Sequence, residues 1–277
     1  MKAKDLWESR EGSMTSSAWP TSDASVAAWG QGLVALVGQH LPKQIKGVQG
    51  IKIEQWPLVA PAYIAKACGT VESMYLLFDK LRTTDAIVLL RSLYENVLVF
   101  AWIDVDPGEN LPRWIKRVCE RATKTDDDWR AIGYPILDAA NRKYAEDKVS
   151  DTAVKFAPNN ADMAKAVDRR WNNTFPGHPQ ITGKEIEFLT FSGLYRHVYR
   201  LGSQVVHQDS RGLSSFHTND SSGFTSVHAE RLDKHYIYPW LFGNHVLTLG
   251  LAIASVSLGW PAASDAWAAR ANALGGS

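Results

Sequence analysis

Residues 86–103 read AIVLLRSLYENVLVFAWI, an apolar run interrupted by only a few polar side chains. Apolar residues on every side of a helix are typical of a helix buried in a protein core. The run also contains Arg91 and Glu95, whose charges are costly to bury unless they are paired. Because these residues lie four positions apart, the sequence predicts that they form an ion pair on a buried helix. The pair is either a purely structural contact or part of a polar pocket among the helices.

A second pattern occurs in residues 195–209, which read YRHVYRLGSQVVHQD. At about 100° per residue, one helix face here carries only polar side chains, and the opposite face is apolar. The polar stripe consists of Arg196, Arg200, Ser203 and His207. It contains no carboxylate, whereas a solvated face usually mixes charges of both signs, and Gly202 beside it leaves room for a ligand or another backbone. The stripe is therefore either an ordinary exposed face or a polar site.

Most of the remaining chain also favours helices. Sustained period-two alternation and Asn-Gly or Asp-Gly hairpins are absent, and only residues 47–57 are compatible with a short strand. Helical spacing recurs over residues 23–40, 58–80, 86–105, 111–124, 127–146, 161–171, 184–207 and 229–258. With no internal repeat and no linker, the sequence predicts a single all-α bundle of about seven to nine helices. The polar segment 208–226 is expected to be an irregular loop that closes over His207.

The ends of the chain and its cysteines define the expected domain and compartment. We expect residues 1–22 to be a disordered or vector-derived tail, residues 23–265 to form one helical domain, and residues 266–277 to be a C-terminal tail. The segment 240–260 is about long enough to cross a bilayer, but it lacks basic flanks, so we predict a buried helix. Two cysteines do not make a disulfide framework, which favours a cytoplasmic protein with reduced thiols.

Composition and motifs restrict the classes of function. The 277-residue chain has a formal net charge of +1, which gives no argument for bulk nucleic-acid binding but permits a local basic site. The sequence has no His-Glu-x-x-His, no Cys-x-x-Cys, no glycine-rich phosphate loop and no Gly-x-Ser-x-Gly motif. His228 and His235 share a helix face, but two histidines are too few to define a metal site. We therefore predict neither a metal nor a cofactor.

Two motifs resemble a known family. Arg200 and His207 are separated by six residues, which matches the Arg-x4–6-His pattern of HEPN ribonucleases. The chain more closely resembles an uncharacterised HEPN-like group, a domain of unknown function. That group carries R-S-L-[FY]-E on a buried helix and Y-x-x-x-S-x-x-x-H on a later one. The matching residues here are Arg91 to Glu95 and then Tyr199, Ser203 and His207.

The resemblance, which covers about residues 58–260, implies a HEPN-like core and a metal-independent endoribonuclease of the toxin or antiviral-defence type. In such an enzyme His207 acts as general acid or base, Arg200 holds the phosphate, and Ser203 orients the histidine or contacts a phosphate oxygen. The implied supporting residues are Arg91, Glu95, Arg196 and Tyr199. The implied partners are RNA, a second copy of the chain in a homodimer, and an antitoxin or defence protein. Neither DNA nor a membrane is expected.

Leu201 leads to a second interpretation. HEPN ribonucleases usually carry a polar residue, often Asn, directly after the arginine, and this chain carries Leu201 there. This departure and the near-neutral net charge favour a non-catalytic α-helical binding or regulatory protein. In that case the same polar pocket binds a small anionic ligand or a nucleotide. The sequence thus leaves two hypotheses, an endoribonuclease and a binding protein.

Overall fold

The apolar run at residues 86–103 lies within one helix, Thr83–Val105, around which other helices pack in a computed structural model of the chain. The structure describes residues 22–41, 55–78, 80, 82–172, 190–200, 202–203, 217–219, 225–227, 237–260, 265, 266 and 269. Within these residues the chain forms an all-α bundle of eight helices, which confirms the predicted fold class.

The helices and strands follow one another along the chain with these bounds. The helices are α1 (Asp23–His40), α2 (Trp56–Phe78), α3 (Thr83–Val105), α4 (Pro107–Arg130), α5 (Ala139–Ser150), α6 (Asn160–Trp171), α7 (Phe191–Leu194, which continues as a π-helix over Tyr195–Tyr199) and α8 (Tyr238–Ser257). The two strands, β1 (His217–Asn219) and β2 (Thr225–Val227), pair with each other in antiparallel orientation.

The α3 helix occupies the centre of the bundle. It packs against α2, α4, α6, α8 and the π-helical segment, and every residue from 96 to 103 is buried. The last helix, α8, is buried continuously from Pro239 to Ala254, as predicted for this segment, and it packs on α1, α2 and α3. Removing this much apolar surface from water is the main force that stabilises the bundle. The first arginines of the polar stripe, Arg196 and Arg200, lie on or directly after the π-helical segment, which packs against α3.

Two helices of the described chain, α3 and α8, are long and apolar enough to cross a membrane by length and composition alone. Of the most apolar 18-residue stretch in each helix, 67% is buried inside the protein in α3 and 83% in α8.

The boundary between α4 and α5 differs from the sequence-based prediction. We predicted two helices that meet near residues 125–126, but α4 continues to Arg130 and a turn follows at residues 131–138. Asp126 lies inside the helix, where its buried carboxylate accepts hydrogen bonds from the N–H groups of Ile136 and Leu137. Gly133 supplies the positive φ of 88° that the turn requires.

Three further expectations are corrected or limited by the structure. The segment 208–226 was expected to be irregular, but β1 and β2 form a short ribbon there in which His217 pairs with Val227. Thr218, Thr225 and Val227 are β-branched, which favours extended backbone. The candidate strand at 47–57 lies mostly outside the described residues, and Trp56 begins α2. Core packing also extends beyond residue 265, because Ala266 is fully buried.

Candidate functional site

The segment that carries the polar stripe begins at Phe191, and neighbouring side chains hold its first turn. The Thr190 hydroxyl accepts a hydrogen bond of 3.1 Å from the N–H of Gly193. Asp168, on α6, accepts hydrogen bonds of 2.9 Å from the N–H of Phe191 and 2.8 Å from the N–H of Ser192. A carboxylate at the first turn satisfies N–H groups that have no partner within the helix. The position of α6 therefore determines where α7 starts.

Tyr94 connects the same turn to α3. Its side chain is fully buried, and its hydroxyl donates a hydrogen bond of 2.9 Å to the carbonyl of Phe191. Burial raises the pKa of Tyr94 well above its ordinary value, and the negative charge of Asp168 adds to this effect. The hydroxyl consequently stays protonated and able to donate. The N–H and the carbonyl of Phe191 are thus held by side chains of two different helices.

The polar stripe starts on a π-helical turn. Over Tyr195–Tyr199 the backbone hydrogen bonds are one residue longer than in an α-helix, and the N–H of Arg200 bonds to the carbonyl of Tyr195. Such turns change the direction of the side chains that follow, and they occur frequently at functional sites. Val198 faces the core, whereas Arg196 and Arg200 are exposed. Ser203 is half-buried, and His207 lies outside the described residues.

Two tyrosines and two arginines contact one another in series beside α3. The rings of Tyr195 and Tyr199 stack with their centroids 4.9 Å apart and their planes at 15°. The guanidinium carbon of Arg91 lies 4.9 Å from the Tyr199 ring centroid, and that of Arg200 lies 5.8 Å from the Tyr195 centroid. Both distances fit cation–π contacts. We refer to Arg91, Tyr199, Tyr195 and Arg200 as the arginine–tyrosine series.

The predicted ion pair on α3 is confirmed, with Nε of Arg91 lying 3.5 Å from Oε1 of Glu95. The prediction that the pair is buried is wrong for Glu95, because the side chains are 18% and 40% exposed, respectively. The C-terminal half of α3 is surrounded by other helices, whereas the turn with Glu95 lies next to the partly exposed π-helical segment. An ion pair in this setting contributes little to stability and remains accessible to a ligand.

Gly202 explains how closely the two motif segments approach each other. A Cβ atom placed on Gly202 would lie 2.6 Å from the Cβ atom of Arg91, closer than real side chains allow. Only glycine therefore permits the stripe to lie directly against α3 at this point. The packing of the two motif segments is confirmed, and the predicted proximity of Glu95 to His207 falls outside the described residues.

The α4 helix adds two arginines that the sequence analysis did not single out. Arg117 and Arg121 lie one helical turn apart, and Arg117 donates a hydrogen bond to the carbonyl of Pro158. Burial and the positive charge of Arg121 lower the pKa of Arg117, while the charge of Glu120 and, less strongly, Tyr199 and Glu95 oppose this shift. Arg117 thus lies on a helix that packs directly on α3. The four-residue spacing was visible in the sequence, but the packing of α4 on α3 was not.

Most of the positive charge at this site is not neutralised by ion pairs. Within the described part of the chain, no carboxylate lies within ion-pair distance of Arg117, Arg121, Arg196 and Arg200. Elsewhere on α4, Arg113 pairs with Glu109 and Arg130 pairs with Asp126. Guanidinium groups without carboxylate partners are well suited to bind phosphate.

Metal ligation has no support in the described residues, among which no three His, Cys, Asp or Glu side chains are grouped as ligands. His228 and His235, whose spacing would place them on one helix face, lie outside the described residues. Among the described residues, the side chains at this site are therefore arginines, tyrosines and the carboxylate of Glu95.

The fold and the site together define a class: an all-α protein with guanidinium groups and stacked tyrosines beside its central helix. The chain belongs to a family of unknown function, DUF5677, whose pattern matches residues 59–224. The matched region contains both motif segments and also Arg117 and Arg121 of α4. Comparisons with the curated proteins and with the solved structures give no match.

Proposed function

We propose that this protein is a HEPN-like, metal-independent endoribonuclease. The proposal draws on the Arg200-x6-His207 spacing and on the contact of the R-S-L-Y-E segment with the segment that follows Tyr195. The observation that carries it is the arginine–tyrosine series, in which Arg200 has no carboxylate within ion-pair distance among the residues that the structure describes. Guanidinium groups bind phosphate, and aromatic rings stack on the unpaired bases of single-stranded RNA.

The reaction is an attack of an RNA 2′-hydroxyl on the adjacent phosphate. The bond from the 2′-oxygen to phosphorus forms, and the bond from phosphorus to the 5′-oxygen of the next nucleotide breaks. His207 takes the proton from the 2′-hydroxyl or delivers one to the leaving 5′-oxygen. Arg200 stabilises the negative charge that develops on the phosphate, and Ser203 orients the histidine. Arg91, Glu95, Arg196 and Tyr199 support these groups.

The same proposal includes the setting of the enzyme. By resemblance to HEPN proteins, two copies of the chain form a homodimer in the cytoplasm, with the site at their interface. An antitoxin or a defence protein is the expected regulator, because an endoribonuclease of this type is harmful to its own cell.

The decisive experiment is RNA cleavage in the presence of EDTA by the full chain. We expect cleavage that survives EDTA and leaves 2′,3′-cyclic phosphate ends, and we expect Arg200→Ala and His207→Ala to lower the rate by about 10²–10⁴-fold. Lys143→Ala is the matched control, because this lysine is 75% exposed and pairs with Asp147 on α5. Melting curves near wild type are required of all three variants. Equal rates for His207→Ala and wild type would refute the nuclease proposal.

The second candidate function is non-catalytic binding of a small anionic ligand or a nucleotide. Leu201 after Arg200 favours it, since the position that is usually polar in HEPN ribonucleases is apolar here. In this case neither wild type nor His207→Ala cleaves RNA, and a nucleotide binds with an affinity that falls in Arg200→Ala. Titration calorimetry with mononucleotides measures that affinity directly.

A further inference from the structure

We propose that the turn between α4 and α5 is a docking surface for a partner protein whose contacting segment combines apolar with lysine and arginine side chains. The surface consists of Trp129, Ile132, Tyr134 and Ile136, which we call the turn patch. These four large apolar side chains lie within eight consecutive residues, and each is between 47% and 67% exposed. No residue of the arginine–tyrosine series belongs to the turn patch, so the docking surface is independent of the proposed function.

Backbone hydrogen bonds gather the turn patch into a small area. The carbonyl of Trp129 accepts hydrogen bonds of 3.2 Å from the N–H of Ile132 and 2.9 Å from the N–H of Tyr134. The N–H of Ile136 donates a hydrogen bond of 2.9 Å to the buried carboxylate of Asp126. Single apolar residues are normal at a protein surface, whereas a group of large exposed ones marks an interaction site.

The turn patch is held in place before a partner binds. The Asp126 carboxylate also accepts hydrogen bonds from the N–H of Leu137 and from the guanidinium of Arg142 on α5, and Gly133 supplies a φ of 88°. Among the described helices, α5 packs extensively only against α4, which leaves the turn between them uncovered. A surface that is already ordered loses little conformational entropy when it binds a partner.

The charges around the turn patch favour a basic partner. Residues 126–138 contain four aspartates and one arginine, and they contain neither lysine nor glutamate. The guanidinium of that arginine, Arg130, is engaged within the turn, where its Nε donates a hydrogen bond to Asp126. Asp128 and Asp138, in contrast, are exposed and flank the apolar residues in the chain. Lysine and arginine side chains on the partner would complement these carboxylates.

The same charges disfavour other occupants. Exposed tryptophan and tyrosine side chains also suit the interface of a lipid bilayer, but the negative surface of a cytoplasmic leaflet repels carboxylates. A second copy of the chain that packed its turn patch symmetrically against this one would bring like carboxylates together. A basic and apolar segment of another protein meets neither obstacle.

The test uses three designed fluorescent peptides of about 18 residues, each titrated against the full chain and followed by anisotropy. The first is an amphipathic helix of leucine and lysine. The second replaces lysine by glutamate in the same pattern, and the third replaces leucine by serine and keeps the lysines. We expect the leucine–lysine peptide to bind and the other two to bind at least about tenfold more weakly, because one has the wrong charge and the other has no apolar face.

Substitutions in the turn locate the binding site of the leucine–lysine peptide. Ile132→Ser is expected to weaken binding about tenfold, and Asp128→Asn about threefold at low salt and less at high salt. The matched controls are Leu76→Ser and Glu72→Gln on α2, where Leu76 is 76% exposed and Glu72 is also exposed. Both controls should bind like wild type. All four side chains are exposed, so the variants are expected to fold, and their melting curves check this.

Several outcomes would overturn the proposal. One is equal affinity of Ile132→Ser and Leu76→Ser for the leucine–lysine peptide, and another is a wild type that does not bind this peptide or binds the leucine–glutamate peptide as tightly. A lower molar mass of Ile132→Ser than of wild type in light scattering would identify an interface between two copies instead. Flotation with vesicles of phosphatidylcholine and phosphatidylserine that is lost in Ile132→Ser would identify a membrane-binding surface instead.

Discussion

At the scale of single residues, Gly202 and Arg91 show how the site is assembled. The two residues are 111 positions apart in the chain, yet a methyl group on the glycine would meet the arginine side chain at 2.6 Å. The same arginine contacts Tyr199 and Glu95. Because Gly202 has no side chain, the guanidinium of Arg91 can contact residues of both motif segments.

Gly202→Ala is expected to destabilise the protein. Overpacking of this kind typically costs about 1–3 kcal/mol, which outweighs the gain of about 0.5–1 kcal/mol from replacing a helical glycine by alanine. Gly69→Ala in α2 is the matched control, because a Cβ atom there meets nothing within 4 Å, and this variant should be slightly stabilised. Urea unfolding measures both. Two variants of equal stability would show that α3 and the stripe are not in close contact.

At the scale of helices, α7 is held by α3 and α6 through a single peptide. Tyr94 bonds to the carbonyl of Phe191, and Asp168 bonds to its N–H and to that of Ser192. Burial raises the pKa of Asp168, and the hydrogen bonds from Ser192 and Phe191 limit this rise. These hydrogen bonds fix the position of Tyr195, Tyr199 and Arg200 along α3.

Asp168→Ala is therefore expected to lower the free energy of unfolding by about 1–3 kcal/mol, because it leaves buried N–H groups without an acceptor. Tyr94→Phe removes one neutral hydrogen bond and should cost less, about 1 kcal/mol. The two effects should not be additive, since both side chains hold the same peptide. Denaturant titration of both single variants and the double variant gives the coupling energy. Full additivity would contradict a shared role.

The turn between α4 and α5 depends on Asp126. Its buried carboxylate accepts hydrogen bonds from Arg130, from Arg142 and from the N–H groups of Ile136 and Leu137. Burial by itself raises the pKa of Asp126, but these hydrogen bonds together hold it well below its ordinary value. A carboxyl group with a lowered pKa in the folded state stabilises the protein above the ordinary aspartate value of about 3.9. That contribution is lost as the pH falls below this value.

Asp126→Asn should consequently melt at a lower temperature than wild type at pH 7, and the difference should narrow as the pH falls from about 5 to about 3. Asp147→Asn is the control, because Asp147 is 64% exposed and pairs only with Lys143 among the described residues. Its melting temperature should follow wild type across the range. A difference for Asp126→Asn that stays constant with pH would mean that the carboxylate is not ionised below its usual range.

At the scale of the whole molecule, the described core consists of α3 and α8 with the helices packed around them. These two helices carry the most continuous burial, and the site lies at the side of α3 that faces the π-helical segment. Arg91 at that side pairs with Glu95, whereas Arg196 and Arg200 have no carboxylate within ion-pair distance among the described residues, so the stripe offers positive charge.

We predict that the protein is a homodimer in solution, with a mass of twice 30.7 kDa by light scattering coupled to size exclusion. The reason is the resemblance to HEPN proteins, whose sites form between two copies. A charge-reversing variant, Arg196→Glu, should weaken the dimer if the stripe lies at the interface, whereas Lys143→Glu on α5 should not. A monomer at all concentrations would refute the dimer and leave the cleavage experiment to decide the catalytic proposal.

Local sequence information was sufficient for the helices and for one contact of the site. Helix periodicity, end residues and the spacing from Arg91 to Glu95 act within a few positions, so the all-α class and the ion pair followed from the sequence. The predicted end of α4 was wrong, because Asp126 stabilises the actual end through hydrogen bonds from N–H groups that lie 10 and 11 positions away in the chain.

The tertiary structure alone decided which side chains surround the polar stripe. Asp168 reaches Phe191 across 23 positions and Tyr94 reaches it across 97, and no local period encodes such contacts. The packing of α4, which carries Arg117, on α3 is likewise not encoded by any local pattern. The exposure of Glu95 likewise depends on which helices cover α3, since a helix pattern states which residues share a face but not what lies against that face.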